Sequence, residues 1–290
     1  MADDEVIEKI RKLEWNAPYF DARSLPDPRY EYVAWIDLMG SASGLTRSLP
    51  TVANHIFKLH DAALDERERD EALFEKLRLY PVMDGLYAVT EKMEDLQYFL
   101  RCVFRRMAVD FLKANQPHKR ALVRSGYAFG PVIHGSSIGD SGSIQLRNNP
   151  EYARRILLGG AMVQAYQMER AAPPFGVAVH ETARTFTNSE TSRPFTGKWF
   201  RWWQRREQVD AIAVPALLKA INTHFDWCSN HSDELDYPTD RLAEHRKMTA
   251  QYFDFAGHPL ATDEKADRAL APALDEVEES PRSPTPEPAA

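Results

Sequence analysis

Cysteine is scarce. The 290-residue chain has two, Cys102 and Cys228, without CxxC spacing, so neither a disulfide framework nor a cysteine metal knuckle is expected. Both fall in segments that read as helical and are expected to be reduced, structural thiols. Long apolar runs are missing as well: nothing approaches the ~20 residues that a membrane-spanning helix needs. The charged amphipathic start, MADDEVIEKIRKLEW, has no apolar signal core. The expectation is a cytoplasmic protein with no membrane partner. Nor is there an excess of positive charge. A net charge of -7 argues against a nucleic-acid partner, which requires a basic face to neutralise phosphates. The nine histidines show no HxH or HExxH spacing, which argues against zinc, and no internal repeat is present.

What is present is the composition of a soluble globular protein, 43% hydrophobic and 27% charged, long enough for one sizeable core or two small ones. The organising stretch is residues 32–44, YVAWIDLMGSASG. Residues 32–36 have the β-branched and aromatic make-up of a buried strand, Asp37 closes it, and a Gly/Ser segment leads directly into a helix. That order sets a carboxylate beside free backbone N–H groups at a helix start, a natural site for a metal triphosphate.

Before this stretch, residues 1–29 read as a lead-in helix and a loop containing Pro18, Pro26 and Pro28. After it, Leu49, Val52, Ile56, Leu59 and Ala63 mark an amphipathic helix, and the charge run 65–76 reads as its solvated continuation or a surface helix. Residues 77–82 and 86–90 read as two strands flanking Met83-Asp84-Gly85, with Asp84 and Gly85 expected to take the positive φ of a hairpin turn. A long helix over residues 93–111 follows. Residues 121–129 and 131–134 read as a strand pair joined through Gly130, residues 152–170 as a helix entered near Gly159-Gly160, and residues 175–180 as a strand. The fold class predicted from this order is α+β: a mixed, mostly antiparallel sheet with helices packed on it, spanning residues 30–190. Residues 191–256 are expected to complete or flank that domain with a strand at 209–214 and helices at 216–226 and 241–255. Residues 257–290, rich in Pro, Glu, Ala and Ser, read as a disordered acidic tail. The basic aromatic stretch KWFRWWQRR at 198–206 could stack on nucleic acid. In an acidic chain, an edge or dimer-contact segment with buried aromatics is the better reading.

Asp37 and Asp84, 47 residues apart, meet if their strands are neighbours. A pair of aspartates suits Mg²⁺ or Mn²⁺, hard ions that keep coordination sites for substrate oxygens. Each aspartate alone could instead do no more than cap a helix or make a turn. Together with their surroundings they resemble the catalytic domain of class III nucleotidyl cyclases. Asp37-Leu38-Met39-Gly40 is similar to the family's first-strand signature, and Met83-Asp84-Gly85 falls where it has a hairpin Gly-Asp. Arg124-Ser125-Gly126 is similar to its Arg-x-Gly, and Gly160 to Tyr166 resembles its Gly-x-x-Val-Asn-x-Ala helix.

The resemblance implies a ferredoxin-like cyclase fold and two metal ions per site, held by Asp37, the Leu38 carbonyl and Asp84. The N–H groups of Met39, Gly40, Ser41 and Ala42 would cradle phosphates. It also implies a head-to-tail homodimer in which Gln164 reaches the partner's site, and a nucleoside triphosphate substrate. Three departures stand out. Tyr80 occupies the place of the purine-reading Lys, Leu157 that of its polar partner, and Met168 that of the transition-state Arg, with Arg170, Arg124, Arg154 and Arg155 left as possible substitutes. This combination resembles the pyrimidine cyclases of the bacterial Pycsar antiphage systems. UTP is therefore the expected substrate, with CTP the alternative, and the cyclic product would act on a separate effector protein. A degenerate nucleotide sensor remains the non-enzymatic alternative. A cyclic-dinucleotide polymerase is disfavoured because no GGDEF-like motif stands at Asp84.

Overall fold

In the computed structural model, residues 25–41, 48–138, 144–188, 193–204, 208–231 and 239–258 are described, together with Glu8. Most of the lead-in at 1–29, and the tail beyond 258, lie outside them. The strands are β1 (Arg29–Leu38), β2 (Arg78–Val82), β3 (Gly85–Thr90), β4 (Val123–His134), β5 (Leu157–Gly159) and β6 (Val177–Val179). Between β1 and β2 lie α1 (Leu49–Glu68) and α2 (Glu71–Lys76), and α3 (Met93–Lys113) joins β3 to β4. Two short helices, α4 (Ile144–Asn148) and α5 (Pro150–Ala153), precede β5, and α6 (Gly160–Glu169) follows it. After β6 come α7 (Glu181–Thr185), α8 (Gln208–Asn230) and α9 (Thr239–Tyr252).

The sheet runs β2-β3-β1-β4-β5, each neighbouring pair antiparallel, with β6 parallel to the first part of β4. A strand-helix-strand-strand-helix-strand order with β1 in the middle is the ferredoxin-like split βαβ arrangement. The predicted α+β class is what the chain forms.

Period-two alternation divides β1 between two layers. Tyr32, Ala34, Ile36 and Leu38 enter one core, against Leu59 of α1, the stripe Leu96, Phe99, Leu100, Val103, Met107 and Phe111 of α3, and Leu217, Ile221 and Phe225 of α8. Val33 and Trp35 face the other way, onto Ala161 and Ala165 of α6. A strand buried on both faces has to be apolar almost throughout, which is why its sequence carries no alternation.

Three expectations are corrected. The segments 121–129 and 131–134 are not a strand pair; residues 123–134 are one strand through Gly130. Gly130 faces Ala161, and a Cβ built there would meet its methyl at 3.5 Å. Glycine here lets a helix lie close on the strand, which is a different reason for glycine than a turn. Second, residues 209–214 are no strand but the start of α8, and the only β feature described in 191–256 is an isolated bridge from Trp199 to Ala178. Third, Asp84 and Gly85 do not carry the positive φ of the hairpin. Met83 does, at φ 54°. A two-residue turn with positive φ at its first position only is the II′ pattern, where glycine is the usual occupant.

The aromatic side chains of the KWFRWWQRR stretch belong to the core. Trp199, Phe200, Trp202 and Trp203 are all buried. The Trp199 and Trp202 indoles donate to the carbonyls of Ala171 and Phe175 at 3.0 and 2.8 Å, and the Tyr252 hydroxyl donates to Phe200 O at 2.7 Å. Side chains engaged in this way have no ring face left for stacking on bases.

Candidate active site

Asp37 is the penultimate residue of β1. The chain then leaves the sheet, because Gly40 adopts φ +78°, a conformation that side-chain-bearing residues rarely take. Asp84 is brought to the same place by the hairpin. The β1–β3 register pairs Ile36 with Leu86, and Gly85 sits so tightly on the Ile36 carbonyl and the Trp35 ring that a Cβ would lie 2.5 Å from that oxygen. Ser41 joins the two elements: its hydroxyl donates to the Asp84 carboxylate and lies 3.3 Å from the Leu38 carbonyl.

Two further charged groups complete the cluster. Arg124 is the direct β1–β4 partner of Asp37 and forms an ion pair with Glu169, the last residue of α6. Glu169 is 3% exposed. It reaches this position because α6 repeats a small face, Ala161, Ala165, then Glu169, over Gly130 and Gly126. At Gly126 a Cβ would lie 2.4 Å from the Glu169 backbone nitrogen.

Three carboxylates around one guanidinium leave the site short of positive charge. The Asp37 carboxyl is pushed up to about 7, by burial first and then by the neighbouring charges of Glu169 and Asp84, with Arg124 and the Leu38 backbone opposing them. Burial likewise raises Glu169, against the pull of Arg124. Oxygen-only donors, two of them aspartates at the end of an open cleft, fit a hard divalent cation that completes its coordination with substrate oxygens. No group of three or more His, Cys, Asp or Glu side chains is arranged to hold a metal among the described residues. Any ion here would therefore complete the coordination begun by Asp37 and Asp84 with backbone, water or substrate oxygens.

The cleft has a volume of about 1220 Å³, and Asp37, Leu38, Met39, Gly40, Ser41, Asp84 and Arg124 line one end of it. Ala42 lies outside the described residues. The Met39 N–H donates to Leu122 O at 2.9 Å, so it is held by the backbone and does not belong to a phosphate cradle, contrary to expectation. Tyr80 and Gln164 are not among the residues lining the cleft. Tyr80 is buried on the α6 side of the sheet with its hydroxyl 2.5 Å from His134 Nδ1, while His134 Nε2 meets Glu31. Gln164 is half-buried on α6, its Oε1 3.5 Å from the Thr182 hydroxyl.

Of the four arginines considered from sequence, only Arg124 lines the cleft; Arg154, Arg155 and Arg170 are exposed. Glu169 was missed altogether. Its only sequence signal is the four-residue spacing that continues the Ala161–Ala165 face.

No family model and no curated protein matches the chain. Among solved structures it is similar to the monomeric guanylyl cyclase domain of the RhoGC fusion protein from the aquatic fungus Blastocladiella emersonii. The TM-score is 0.40 at 16% identity, covering 54% of this chain and 84% of that one. The guanylate cyclase domain of RhGC from Catenaria anguillulae, in complex with GTP, has a TM-score of 0.40 at 15% identity, over 54% and 81% of the two chains. Adenylate cyclases from Trypanosoma brucei in their monomeric state have a TM-score of 0.35 at 11% identity, over 56% and 76%.

Proposed function

We propose that this chain is a divalent-metal-dependent nucleotide cyclase that converts UTP to 3′,5′-cyclic UMP and pyrophosphate. The observation that carries the reading is the convergence of Asp37 and Asp84, from a strand end and a hairpin tip, on one cleft beside the Gly40 turn. A Mg²⁺ or Mn²⁺ pair bound there would supply charge neutralisation of the triphosphate and activation of the attacking hydroxyl. In the reaction the ribose 3′-oxygen bonds to the α-phosphorus, the bond from that phosphorus to the bridging oxygen breaks, and pyrophosphate leaves. The 3′-hydroxyl proton passes to solvent or phosphate.

The protein's part is positional and electrostatic. Asp37, Asp84 and the Leu38 carbonyl would hold the cations. The Ser41 hydroxyl fixes the Asp84 carboxylate, and Arg124 presents the only arginine charge on the carboxylate end of the cleft among the described residues. Glu169 pins Arg124 against β4. A pyrimidine base is favoured by the loss of the purine-reading Lys, whose place Tyr80 takes; Tyr80 itself is buried outside this chain's cleft with its hydroxyl held by His134. CTP is the alternative substrate. The reading extends to a homodimer with shared sites, supported by the exposed apolar side chains of Val82, Met83, Val163 and Tyr166. It extends also to a cyclic product that acts on a separate effector in antiphage defence.

A second reading, a catalytically silent nucleotide sensor, draws on one observation: Arg124 is already engaged by Glu169, and Met168 stands where the family has its arginine. Pyrophosphate release from UTP with Mn²⁺ separates the two. The enzyme reading expects release that Asp37→Asn and Asp84→Asn each reduce at least about 100-fold. A rate equal to that of the buffer favours the sensor.

A further inference from the structure

The turn after β1 brings residue 41 back to residue 38. The Met39 N–H is tied to Leu122 O at 2.9 Å and Gly40 takes its left-handed φ, so the half-buried Ser41 side chain returns to within 3.3 Å of the Leu38 carbonyl oxygen. The hairpin brings the Asp84 carboxylate to the same hydroxyl. Three oxygens of different kinds therefore converge at one point: a carbonyl, a carboxylate and a hydroxyl. All three residues line the carboxylate end of the cleft.

These oxygens have a single proton between them, because carboxylate and carbonyl oxygens only accept. The Ser41 hydroxyl donates it to Asp84. Its contact with Leu38 O, at 3.3 Å, is longer than the roughly 2.5–3.0 Å of an O–H···O bond, so two oxygens face each other with lone pairs and no proton between them. A cation removes that conflict. An ion held octahedrally at about 2.1 Å sets adjacent ligand oxygens about 3 Å apart, close to the Ser41–Leu38 separation. A serine hydroxyl can ligate without losing its proton, as it does on Mg²⁺ in phosphate-binding loops, so a bond to the ion and a hydrogen bond to Asp84 are compatible. His, Cys, Asp and Glu side chains make no group of three that could hold a metal among the described residues, and a hydroxyl is the donor type that such a set leaves out.

We infer that the Ser41 hydroxyl oxygen is itself a ligand of the divalent cation, sharing one ion with the Asp84 carboxylate and the Leu38 carbonyl while its proton stays on Asp84. The inference rests on the proposed metal site and adds a protein ligand to it. The competing role is that of a plug, a hydroxyl that fills the ion's place and has to swing away. Removing the hydroxyl weakens the ion in the first case and tightens it in the second.

Titration of the full chain with Mn²⁺ in the absence of nucleotide, with free ion measured by its electron paramagnetic resonance signal, tests it. The wild-type protein is expected to bind Mn²⁺ and Asp84→Asn to lose it. Ser41→Ala is expected to weaken Mn²⁺ about tenfold or more, and Ser41→Thr, which keeps the hydroxyl, to stay within about threefold of wild type. Loosening Asp84 alone would also weaken the ion, so Ser41→Cys supplies a readout that a positioning role would not move. A sulfur on the metal is expected to raise affinity for the soft ion Cd²⁺ at least about tenfold over wild type, and Ser41→Cys/Asp84→Asn to lose that gain. Should Ser41→Ala fail to fold, the cadmium result decides. Unchanged Mn²⁺ affinity in Ser41→Ala would overturn the inference and leave the metal site standing, and tighter Mn²⁺ would overturn it in favour of the plug. Ser41→Cys without a gain in Cd²⁺ would reduce Ser41 to a prop for Asp84, which also overturns it. A wild-type protein that binds no Mn²⁺ would overturn the metal site and the inference with it.

Discussion

Asp37 shows how one side chain can be poorly placed for stability and well placed for binding. Its carboxyl is raised from 3.8 to about 7. In the unfolded chain it ionises near pH 4, whereas in the fold it keeps its proton to near neutrality. The folded state therefore binds more protons between those values, and its stability falls as pH rises through that window. Asp37→Asn is thus expected to stabilise the metal-free protein at pH 8, by about 1–2 kcal/mol after allowing for partial solvent screening, and to leave stability unchanged at pH 4. Thermal melts at the two pH values with a chelator present check this. Added Mn²⁺ is expected to raise the wild-type melting temperature at pH 8 and not that of the variant, because the cation takes the place of the proton. Equal melting curves at both pH values would mean that Asp37 is no more burdened than a surface carboxylate.

At the level of elements, close approach of backbone to backbone determines where the carboxylates meet. The hairpin sits on β1 through Gly85, and α6 on β4 through Gly126 and Gly130. The two α6 contacts differ in kind. Gly126→Ala forces a methyl into the helix backbone and is expected to cost at least about 3 kcal/mol, whereas Gly130→Ala meets only a methyl at van der Waals distance and is expected to cost less than about 1 kcal/mol. Urea denaturation of the two variants separates them. Met83, a non-glycine residue at positive φ on an exposed tip, is expected to yield about 1 kcal/mol of added stability when replaced by glycine, since the strain of that backbone region disappears. The hairpin and its carboxylate were legible because Asp-Gly between apolar runs is a local signal. Which residue bears the left-handed conformation was not legible, since it depends on how β2 and β3 register. β4 was misread for a related reason: a glycine inside a strand looks like a turn unless the helix that packs over it is known. At residues 209–214, β-branched composition suggested a strand, but the segment opens α8, which packs Val214, Leu217 and Ile221 in the same core as α3.

Over the whole molecule, the sheet and its α+β class follow from runs of five to ten residues, which is the range over which sequence patterns act. Asp37 and Asp84 could be paired from such runs because each ends a strand. The Arg124–Glu169 ion pair could not: it joins a strand and a helix far apart in the chain, and the four-residue spacing of α6 gives the face of Glu169 but not its partner. The proposed homodimer is a claim at this scale. If Gln164 serves the partner's site, then Asp37→Ala and Gln164→Ala proteins, each inactive alone, are expected to regain about a quarter of wild-type activity when mixed, the share given by random pairing of two chains. Mixtures that stay silent would place both residues in one chain's site.

The central claim, that Asp37 and Asp84 hold a metal triphosphate for cyclisation, is tested most directly by incubating the protein with an equimolar mixture of ATP, GTP, CTP and UTP plus Mn²⁺ and separating the products by chromatography. Cyclic UMP as the dominant product, absent with Asp37→Asn or Asp84→Asn, is the predicted result. No cyclic nucleotide from any of the four, or cyclic UMP undiminished in those variants, would contradict it.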